Sequence, residues 1–413
     1  MTDPIDPLRA TRLDYDDELL GTLDLPGGTL RVTRGLGSGL SRRAGDVPGV
    51  VWAIGDRGPN LKIPFAIDRY GLDDLGRLAD LAGAKIMPFP GIGPAISELR
   101  VEGDQVTCLR TIPLRDRSGR PLSGLPVPGR FNEPAFDIQG APIAPDSSGA
   151  DTEGIAAAAD GSFWIADEYG PSVFHIAADG TVLVRWVPEG CGDAFRTADY
   201  PVVEALPAIA ARRELNRGFE ALALSPDGHR LYLAFQSPLA HPDEQAHRHA
   251  RHVRLWELDV ATGAVIRQFL YRLDKPGSFR RDAAIGPVKR GDLKLCDIAV
   301  TGAQSLLVLE RGSATTKLYA VALDDGRVLD PCQLDIATRP TIEEQSAAGH
   351  TLPHLAKTLV FSTDDHPEID ADLEGVTLLS PRTLLLVNDN DFGVDAVPTR
   401  FWRIDLPADV MMD

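Results

Sequence analysis

The chain has 413 residues, of which 43% are hydrophobic, and it carries a formal net charge of −18. This length allows one large domain or two to three ordinary ones, and the hydrophobic content is enough for a sizeable core. The negative charge argues against nucleic acid or an anionic membrane surface as the main partner. The 39 glycines and 32 prolines are spread along the chain, which favours a turn-rich all-β protein.

The cysteines and the N-terminus narrow the class of protein further. The four cysteines are widely spaced and form no C-x-x-C pair, so they indicate neither a zinc site nor a dense disulfide framework. Residues 1–20 lack the basic and apolar regions of a secretory signal, and no apolar run is long enough to cross a membrane. We expect a soluble cytoplasmic protein, or a periplasmic or secreted one if the sequence begins after a cleaved signal.

In chain order, the first predicted hairpin lies at residues 37–60 and has a long turn. Four hairpins of nearly equal length follow, each with a short apolar strand, a tight turn and a second apolar strand that ends on polar residues. Two of the turns, Asp160-Gly161 and Asp227-Gly228, are Asp-Gly pairs, which are strong hairpin signals. The four hairpins span Glu153–Glu168, Glu220–Gln236, Cys296–Arg311 and Glu374–Asp389.

Most hairpins are followed by a further strand pair, at residues 173–186, 253–269 and 317–329, so each repeat predicts a four-stranded sheet. The segment Ile96–Leu114 is expected to supply the strands of one additional, degenerate unit. Five clear units and one weak unit predict a six-bladed β-propeller, with a five-bladed ring as the nearest alternative. A two-domain sandwich is disfavoured because the units share one pattern throughout.

Ring closure in such a propeller requires a strand from each end of the chain. We expect an N-terminal strand, either GTLDL (residues 21–25) or TLRVT (residues 29–33), to pair with the C-terminal TRFWRIDL (residues 399–406). The prediction is therefore a single propeller domain over residues 1–413, with residues 1–18 as a flexible N-terminal segment.

Radial geometry then brings distant acids together. If the hairpins supply the inner strands, Glu153, Glu220 and Glu374 occupy equivalent positions around one axis, with Ser38 and Cys296 in the other units. Carboxylates at such a ring repel one another, and a bound cation removes that cost. Oxygen ligation suits calcium, with manganese and magnesium as alternatives. Any one of these acids by itself is more simply a turn-capping or solvated residue.

The second strand of each hairpin returns to the same face and ends on polar residues, so a second layer of acids and bases is expected there. Glu310, Asp167 and Asp391 are candidate additional metal ligands, and Glu168 and Asp389 are candidate bases. Arginine's planar fork suits phosphate or carboxylate. Candidate substrate-binding residues are Asp56, Arg57, Asn60, Arg217, Lys294 and Arg311. For the arginines, internal salt bridges with the glutamates are an equally good interpretation.

Other local patterns carry less weight. The histidine-rich stretch His241–His252 is interpreted as a solvated loop or a lid rather than a metal tract. The glycine-rich segment at residues 35–41 is followed by no helix, and the chain has no G-K-[ST]. The chain has no G-x-S-x-G elbow, so a serine hydrolase has no support.

Several motifs together resemble one known family. These are GSGL followed by DRGPN, DTEGIA…FWIADEYGPSVF, NRGFEALALSPDG, LERGS…KLYAV and DLEGVTLL…LLLVNDNDFG. They are similar to the phytase-like, or "esterase-like activity of phytase", family of bacterial proteins, over about residues 20–408. The resemblance implies a β-propeller and, through distant kinship with β-propeller phytases, a metal-assisted phosphoester hydrolase. A fold does not by itself fix an activity.

Three functions are therefore open from the sequence. The first is a divalent-metal-dependent phosphoric ester hydrolase that acts on a small anionic substrate, in which Arg57 and Arg311 bind the phosphate and Glu168 or Asp389 is the base. The second is a calcium-dependent lactonase or carboxylesterase. The third is a non-catalytic propeller with a structural metal and a rim that binds a ligand or protein.

Overall fold

A computed structural model describes residues 8–129 and 133–410, and these residues form an all-β fold. The first strands in chain order are β1 (Arg9–Leu13), β2 (Leu19–Leu25), β3 (Gly28–Thr33), β4 (Gly39–Ser41), β5 (Val50–Ile54), β6 (Leu61–Lys62), β7 (Lys85–Ile86), β8 (Ala95–Glu102), β9 (Gln105–Pro113), β10 (Ala135–Phe136), β11 (Pro142–Ile143), β12 (Thr152–Ala157), β13 (Phe163–Asp167) and β14 (Ser172–Ile176).

The remaining strands are β15 (Val182–Pro188), β16 (Val202–Leu206), β17 (Phe219–Leu224), β18 (Arg230–Phe235), β19 (His252–Asp259), β20 (Val265–Arg272), β21 (Lys294–Gly302), β22 (Ser305–Arg311), β23 (Thr316–Ala322), β24 (Lys357–Ser362), β25 (Leu373–Ser380), β26 (Thr383–Asn388) and β27 (Phe401–Asp405). Four short helices lie in the connections: α1 (Ile63–Tyr70), α2 (Glu244–His249), α3 (Arg280–Ile285) and α4 (Ile342–Ala347). None of the helices among the described residues has the length and apolar character that a membrane crossing requires.

Five larger sheets organise these strands. In order they are sheet 1 (β4-β5-β8-β9), sheet 2 (β12-β13-β14-β15-β16), sheet 3 (β17-β18-β19-β20), sheet 4 (β21-β22-β23-β24) and sheet 5 (β25-β26-β27-β1). All their pairings are antiparallel except the parallel β15–β16 edge of sheet 2. The hairpin β2-β3 and a small mixed sheet, β11-β10-β7-β6, lie outside these five.

The first strands of the five sheets contact one another in cyclic order: β4 with β12, β12 with β17, β17 with β21, β21 with β25, and β25 with β4. Apolar side chains fill the space between neighbouring sheets, including the space between sheets 5 and 1, where Val51, Leu385 and Phe401 pack together. This arrangement brings the starts of five strands, which are far apart in sequence, close together.

The five predicted hairpins are confirmed as the first two strands of each sheet. Two of the three further strand pairs are also confirmed, as β14–β15 and β19–β20. The third is wrong, because β23 pairs with the distant β24 while Asp325–Arg327 forms a short helix. The apolar run there stops at Leu329 and is followed by Asp330 and Pro331. Proline has no N–H to donate to a strand ladder.

Three further predictions are corrected. Ile96–Leu114 does not form a separate unit, because β8 pairs with the free edge of β5 and so completes sheet 1. The strand that joins the chain's ends is β1, which pairs with β27 in the register Leu13 to Phe401. The segments GTLDL and TLRVT instead pair with each other as β2–β3. Residues 9–13, which were expected to be flexible, therefore lie in sheet 5, where Leu13 is buried. Residues 1–7 are outside the described residues.

The histidine-rich stretch is not a simple loop. Its middle forms α2, with Asp243 as the N-cap that accepts a hydrogen bond from the Ala246 backbone, and its end begins β19. His247 and His252 are buried and bind protein groups, the Pro238 carbonyl and the Ser346 hydroxyl. The stretch is thus part of the scaffold around sheet 3.

The buried Asp297 carboxylate joins three of the first strands. Its Oδ2 accepts hydrogen bonds from the Leu40 N–H at 3.3 Å and the Val376 N–H at 2.8 Å, and its Oδ1 accepts from the Ile298 N–H at 2.8 Å. Leu40 is in β4 and Val376 is in β25, so one side chain of β21 links sheets 4, 5 and 1. Burial raises the pKa of Asp297, while these three donors lower it.

We expect Asp297→Asn to lower the free energy of unfolding by about 1–3 kcal/mol, because asparagine keeps only one accepting oxygen and places an N–H group against at least one of the backbone donors. The matched control is Asp335→Asn, because Asp335 is exposed and its carboxylate accepts a hydrogen bond only from the Ala337 N–H among the described residues. Urea unfolding of both variants measures the difference. An equal effect in the two variants would mean that Asp297 does not hold the sheets together.

Candidate functional site

A β-bulge marks the same position in the first strand of four sheets. In sheet 2, Thr152 lies opposite Asp167 and Gly154 lies opposite Ala166, so the intervening Glu153 has no cross-strand partner. The register skips Glu220, Cys296 and Glu374 in the same way. A bulge re-aims the side chain of the extra residue. These bulges therefore turn the four repeat-equivalent side chains towards the region where the first strands meet.

The three glutamates among them, Glu153, Glu220 and Glu374, border a polar cavity of about 400 Å³. Its lining includes nine carboxylates and five cationic side chains, so the acids are in excess. The carboxylates are Asp56, Glu153, Glu168, Glu220, Asp372, Glu374, Asp389, Asp391 and Asp395, and the cations are Arg57, Lys62, Lys85, Lys294 and Arg311.

Three groups of side chains in and around the cavity have their ligand atoms within 4.8 Å of one another. They are Glu220, Cys296 and Glu374; Asp56, Asp389 and Asp391; and Asp56, Asp151 and Glu153. Asp56 belongs to two of the groups, so the second and third are contiguous. The first contains sulfur, whereas the other two offer only oxygen.

Several buried oxygens near these groups have no hydrogen-bond partner among the described residues. They are Oε2 of Glu220, both carboxylate oxygens of Asp151, Oγ of Ser38 and Oε1 of Gln236. Buried polar atoms are ordinarily satisfied, so each unsatisfied one calls for an explanation such as a bound ion. The donor set of carboxylate, hydroxyl and amide oxygens fits a divalent cation.

Several carboxylates of the cavity have raised pKa values. Burial raises the pKa of Glu153, and the nearby charge of Glu220 raises it further. Burial, followed by the charge of Asp391, raises the pKa of Asp389. Burial and then the charge of Glu220 raise the pKa of Glu168 to about 8, although Arg213 and other cations oppose this. Ionising all of these groups at neutral pH therefore requires an additional positive charge.

Most of the sequence-predicted site residues line this cavity. They are Asp56, Arg57, Asn60, Glu153, Glu168, Glu220, Lys294, Arg311, Glu374, Asp389 and Asp391. The structure thus brings together residues from all five larger sheets and the loops that follow them.

Two predicted metal ligands face away from the cavity. Asp167 pairs with Arg185 at 2.7 Å and accepts the Asp151 N–H at 2.7 Å. Glu310 accepts hydrogen bonds from the Tyr271 hydroxyl at 2.7 Å and from Lys357 at 2.6 Å. In both cases the next residue in sequence lines the cavity, because successive side chains near a strand end point to opposite sides.

Arg217 is also outside the cavity lining, since its Nη2 donates to the Gly291 carbonyl at 2.8 Å. This contact directs the guanidinium into the loop before β21. Its Nη1 has no hydrogen-bond partner among the described residues, and the role of Arg217 in substrate binding stays a prediction. Its charge still lowers the pKa of Glu220, which burial raises.

The two arginines of the cavity are held by internal contacts. Arg57 donates to Glu133, to the Tyr169 hydroxyl at 2.8 Å and to Asn216 at 2.6 Å, and it also lies 3.2 Å from Asp151. These contacts match the salt-bridge interpretation better than the substrate-binding one.

The second arginine is held in the same way. Arg311 donates to Asp372 and Glu374, and its Nε lies 3.2 Å from Cys296 Sγ. By contrast, Lys294 and Lys85 line the cavity without a side-chain hydrogen bond or ion pair to any described residue. The lysines are therefore the cations that remain available to a bound anion.

Two acids of this region were not expected as site residues from the sequence: Asp372, which lines the cavity, and Asp151, which groups with Asp56 and Glu153. Each lies two positions before an axial glutamate, Glu153 or Glu374, so a D-x-E pattern recurs in two of the repeats. That recurrence was a usable signal. Lys85 and Asn216 carried no such signal, because they come from connections that have no counterpart in the other repeats.

Comparison with known proteins assigns the chain to a family. The chain is an all-β protein in which a similar antiparallel sheet, beginning with a hairpin, is repeated five times. An acidic cavity lies at the first strands of these sheets. Residues 34–392 match the phytase-like family described as "Esterase-like activity of phytase", and the chain belongs to this family.

Individual relatives are more distant. The chain is 30% identical over 248 residues to an uncharacterized secreted protein from Arthroderma benhamiae, a match that covers 52% of this chain and 45% of the relative. The chain thus spans less than half the length of that curated relative. It also resembles a PQQ-bound aldose sugar dehydrogenase from Streptomyces coelicolor, at 10% identity over 97% and 99% of the two chains, with a TM-score of 0.34. A gluconolactonase from Xanthomonas campestris matches at 12% identity over 98% and 99%, with a TM-score of 0.33.

The raised pKa of Glu168 predicts a pH-dependent stability in metal-free protein. Between its ordinary pKa of 4.5 and the folded value of about 8, the folded state keeps a proton that the unfolded state has released. The free energy of unfolding should therefore fall as the pH rises through this window, by an amount on the order of a few kcal/mol.

Urea unfolding in EDTA at about pH 5 and about pH 8 measures this effect. Glu168→Gln removes the titrating group, so the variant should lose less stability than the wild type across the same interval. Equal pH slopes for the two proteins would contradict the prediction.

Proposed function

We propose that the protein is a divalent-metal-dependent phosphoric ester hydrolase whose site is the acidic cavity at the first strands. Membership of the phytase-like family supports a hydrolase that acts on ester bonds. The observation that carries the proposal is the excess of buried carboxylates over cations in the cavity, together with the unsatisfied oxygens of Glu220 and Asp151.

The negative charge of the cavity favours the binding of a metal cation first and of an anionic substrate only afterwards. With nine carboxylates and five cationic side chains, the lining carries four more negative than positive groups when all are ionised. A phosphoester would be repelled from such a cavity. Two divalent cations would balance the difference, and the anion could then bind. This order of binding explains how an acidic site serves a negatively charged substrate.

We propose that the two oxygen-only groups, which share Asp56, hold calcium, with manganese and magnesium as alternatives. Carboxylates from Asp56, Asp151, Glu153, Asp389 and Asp391 supply hard oxygen ligands of the kind that calcium prefers. When bound, a divalent cation supplies charge neutralisation and Lewis acidity for ester hydrolysis.

The chain's own residues would then bind the phosphate and move the proton. Lys294 lies on the cavity wall and its charge lowers the pKa of Glu168 and Glu220, so we propose that it binds the phosphate. Glu168 is the proposed base: its Oε1 accepts the Gly218 N–H at 3.1 Å, and a pKa of about 8 suits proton transfer near neutral pH. Asp389 was the other base expected from the sequence, but we assign it to the metal because it belongs to an oxygen-only group.

We further propose that the five larger sheets close into a five-bladed propeller around this cavity. The cyclic contacts among β4, β12, β17, β21 and β25 support five units rather than the six expected first, and the β1–β27 pairing would close the ring. Because the strands of Ile96–Leu114 belong to sheet 1, this segment does not supply the additional blade that was expected from it.

Replacing Glu220 by Gln should abolish EDTA-sensitive hydrolysis of a chromogenic phosphoester, because Glu220 belongs to one of the three ligand groups and its unsatisfied Oε2 is a candidate metal ligand. We expect a loss of at least about 100-fold in kcat/KM, of the size seen when a transition-state charge contact is removed. Unchanged activity would remove Glu220 from the mechanism.

The same assay should include a lactone and a carboxylic ester, since the family description names an esterase-like activity. Turnover of those substrates with no phosphoester hydrolysis would replace the phosphoesterase by a lactonase or carboxylesterase. If EDTA lowers the melting temperature while no ester is turned over, the metal is structural and the protein is a binding module.

Lys294→Met should raise KM for a phosphoester by about tenfold or more, while a neutral carboxylic ester should be unaffected if it is turned over at all. The physical reason is the loss of a charge-assisted contact to the phosphate, which is worth roughly 1.5–3 kcal/mol. Lys275→Met is the matched control, because Lys275 is exposed and does not line the cavity. An equal effect of the two substitutions would contradict the assignment of Lys294.

A further inference from the structure

One of the three ligand groups contains sulfur. Cys296 is the bulge residue of β21, equivalent to Glu153, Glu220 and Glu374 in the other sheets, and it is fully buried. Its Sγ lies within 4.8 Å of one carboxylate oxygen of Glu220 and one of Glu374. The position that carries a hard carboxylate in three sheets thus carries a soft thiol in sheet 4.

The donor chemistry of this group differs from that of its neighbours. Calcium and magnesium select oxygen ligands, whereas thiolates select zinc and other thiophilic transition metals. Zinc accepts cysteine sulfur together with carboxylate oxygen in a four-coordinate site. We propose that Glu220, Cys296 and Glu374 form a separate site for a thiophilic divalent metal such as Zn²⁺, beside the oxygen-only groups proposed for calcium.

An unsatisfied ligand atom supports the proposal independently of the cluster itself. Glu220 is only 2% exposed, and its Oε2 has no hydrogen-bond partner among the described residues. Its other oxygen, Oε1, accepts a hydrogen bond from Gln236 Nε2 at 2.6 Å. Gln236 therefore fixes the carboxylate and leaves one oxygen free, which is how outer-shell partners hold a metal ligand in place.

Arg311 is the second outer-shell partner. Its Nε–H donates to Cys296 Sγ at 3.2 Å, and its Nη2 donates to Glu374. One guanidinium thus orients two of the three ligands and stabilises the anionic form of both. Metal binding requires the thiol to lose its proton. Burial and the charge of Glu220 oppose that loss by raising the pKa of Cys296, whereas Arg311 and Lys294 favour it.

The contacts of Arg311 also leave it unavailable to substrate. Its donors are used on Asp372, Glu374, Cys296 and the Gly312 carbonyl. The inference deepens the proposed function by naming the metal at one side of the cavity. It rests on that function only in placing a metal in the cavity, and it does not depend on which ester is hydrolysed.

Cobalt is a suitable probe, because Co²⁺ replaces zinc and gives a thiolate-to-cobalt charge-transfer band in the near ultraviolet. Metal-free protein titrated with Co²⁺ should develop this band, saturating at one cobalt per chain. The matched control replaces Cys108, Cys191 and Cys332 by Ser and keeps Cys296, and it should retain the band. Cys296→Ser should lose it.

Competition separates the two kinds of site. Excess Zn²⁺ should displace the cobalt band, whereas excess Ca²⁺ should leave it in place. Cys296→Ser should weaken Co²⁺ and Zn²⁺ binding by at least the roughly 10- to 100-fold that loss of an outer-shell partner costs. Its affinity for Ca²⁺ should stay within about twofold of the wild type, because the oxygen-only groups are intact.

Several outcomes would overturn the proposal. They are the absence of the band in wild-type protein saturated with Co²⁺, its persistence in Cys296→Ser, its loss in the triple-cysteine control, and its displacement by Ca²⁺. The wild-type titration remains decisive if Cys296→Ser fails to fold. Because the readout is spectroscopic, a protein that hydrolyses no ester can still show the band, and a calcium-dependent hydrolase can still lack it.

Discussion

Mutual repulsion among buried carboxylates is the constraint on which the functional interpretation of this protein depends. Bulges in the first strands direct Glu153, Glu220 and Glu374 towards one cavity, where burial and neighbouring charge raise the pKa of Glu153 and Glu168. Neutral residues at these positions would make the folded state more stable, because buried charge is costly unless it is compensated. The repulsion is relieved where an acid keeps its proton or where a cation lies beside it.

Two buried aspartates illustrate how the surroundings decide the role of a side chain. Asp297 and Asp151 are both fully buried. Asp297 accepts three backbone hydrogen bonds and so links three sheets, whereas Asp151 accepts none from the described residues and is compensated only by Arg57 at 3.2 Å. Satisfied acids of the first kind support the scaffold. Unsatisfied acids of the second kind mark the places where a ligand would complete the structure.

The cations of the cavity divide in a similar way. Arg57 and Arg311 bind carboxylates and so hold the acidic side chains in fixed positions, whereas Lys85 and Lys294 have no such contact among the described residues. Arginine's fork is suited to the first task because it makes several directional bonds at once. A lysine is a mobile point charge on a long stem, which suits the second task, the binding of an incoming anion.

The sequence by itself determined the five hairpins and their equivalence, because alternating apolar residues and Asp-Gly turns are local signals that repeat. The convergence of Glu153, Glu220 and Glu374 followed from that equivalence. The sequence could not determine that β1 rather than GTLDL completes sheet 5, or that Ile96–Leu114 completes sheet 1, since several strands of similar pattern compete for each free edge. Nor could it place Asp167 and Glu310 on the far side of their strands, or Arg57 and Arg311 in internal salt bridges. Those outcomes depend on bulges and side-chain partners that are distant in sequence, and only the tertiary structure brings such partners together.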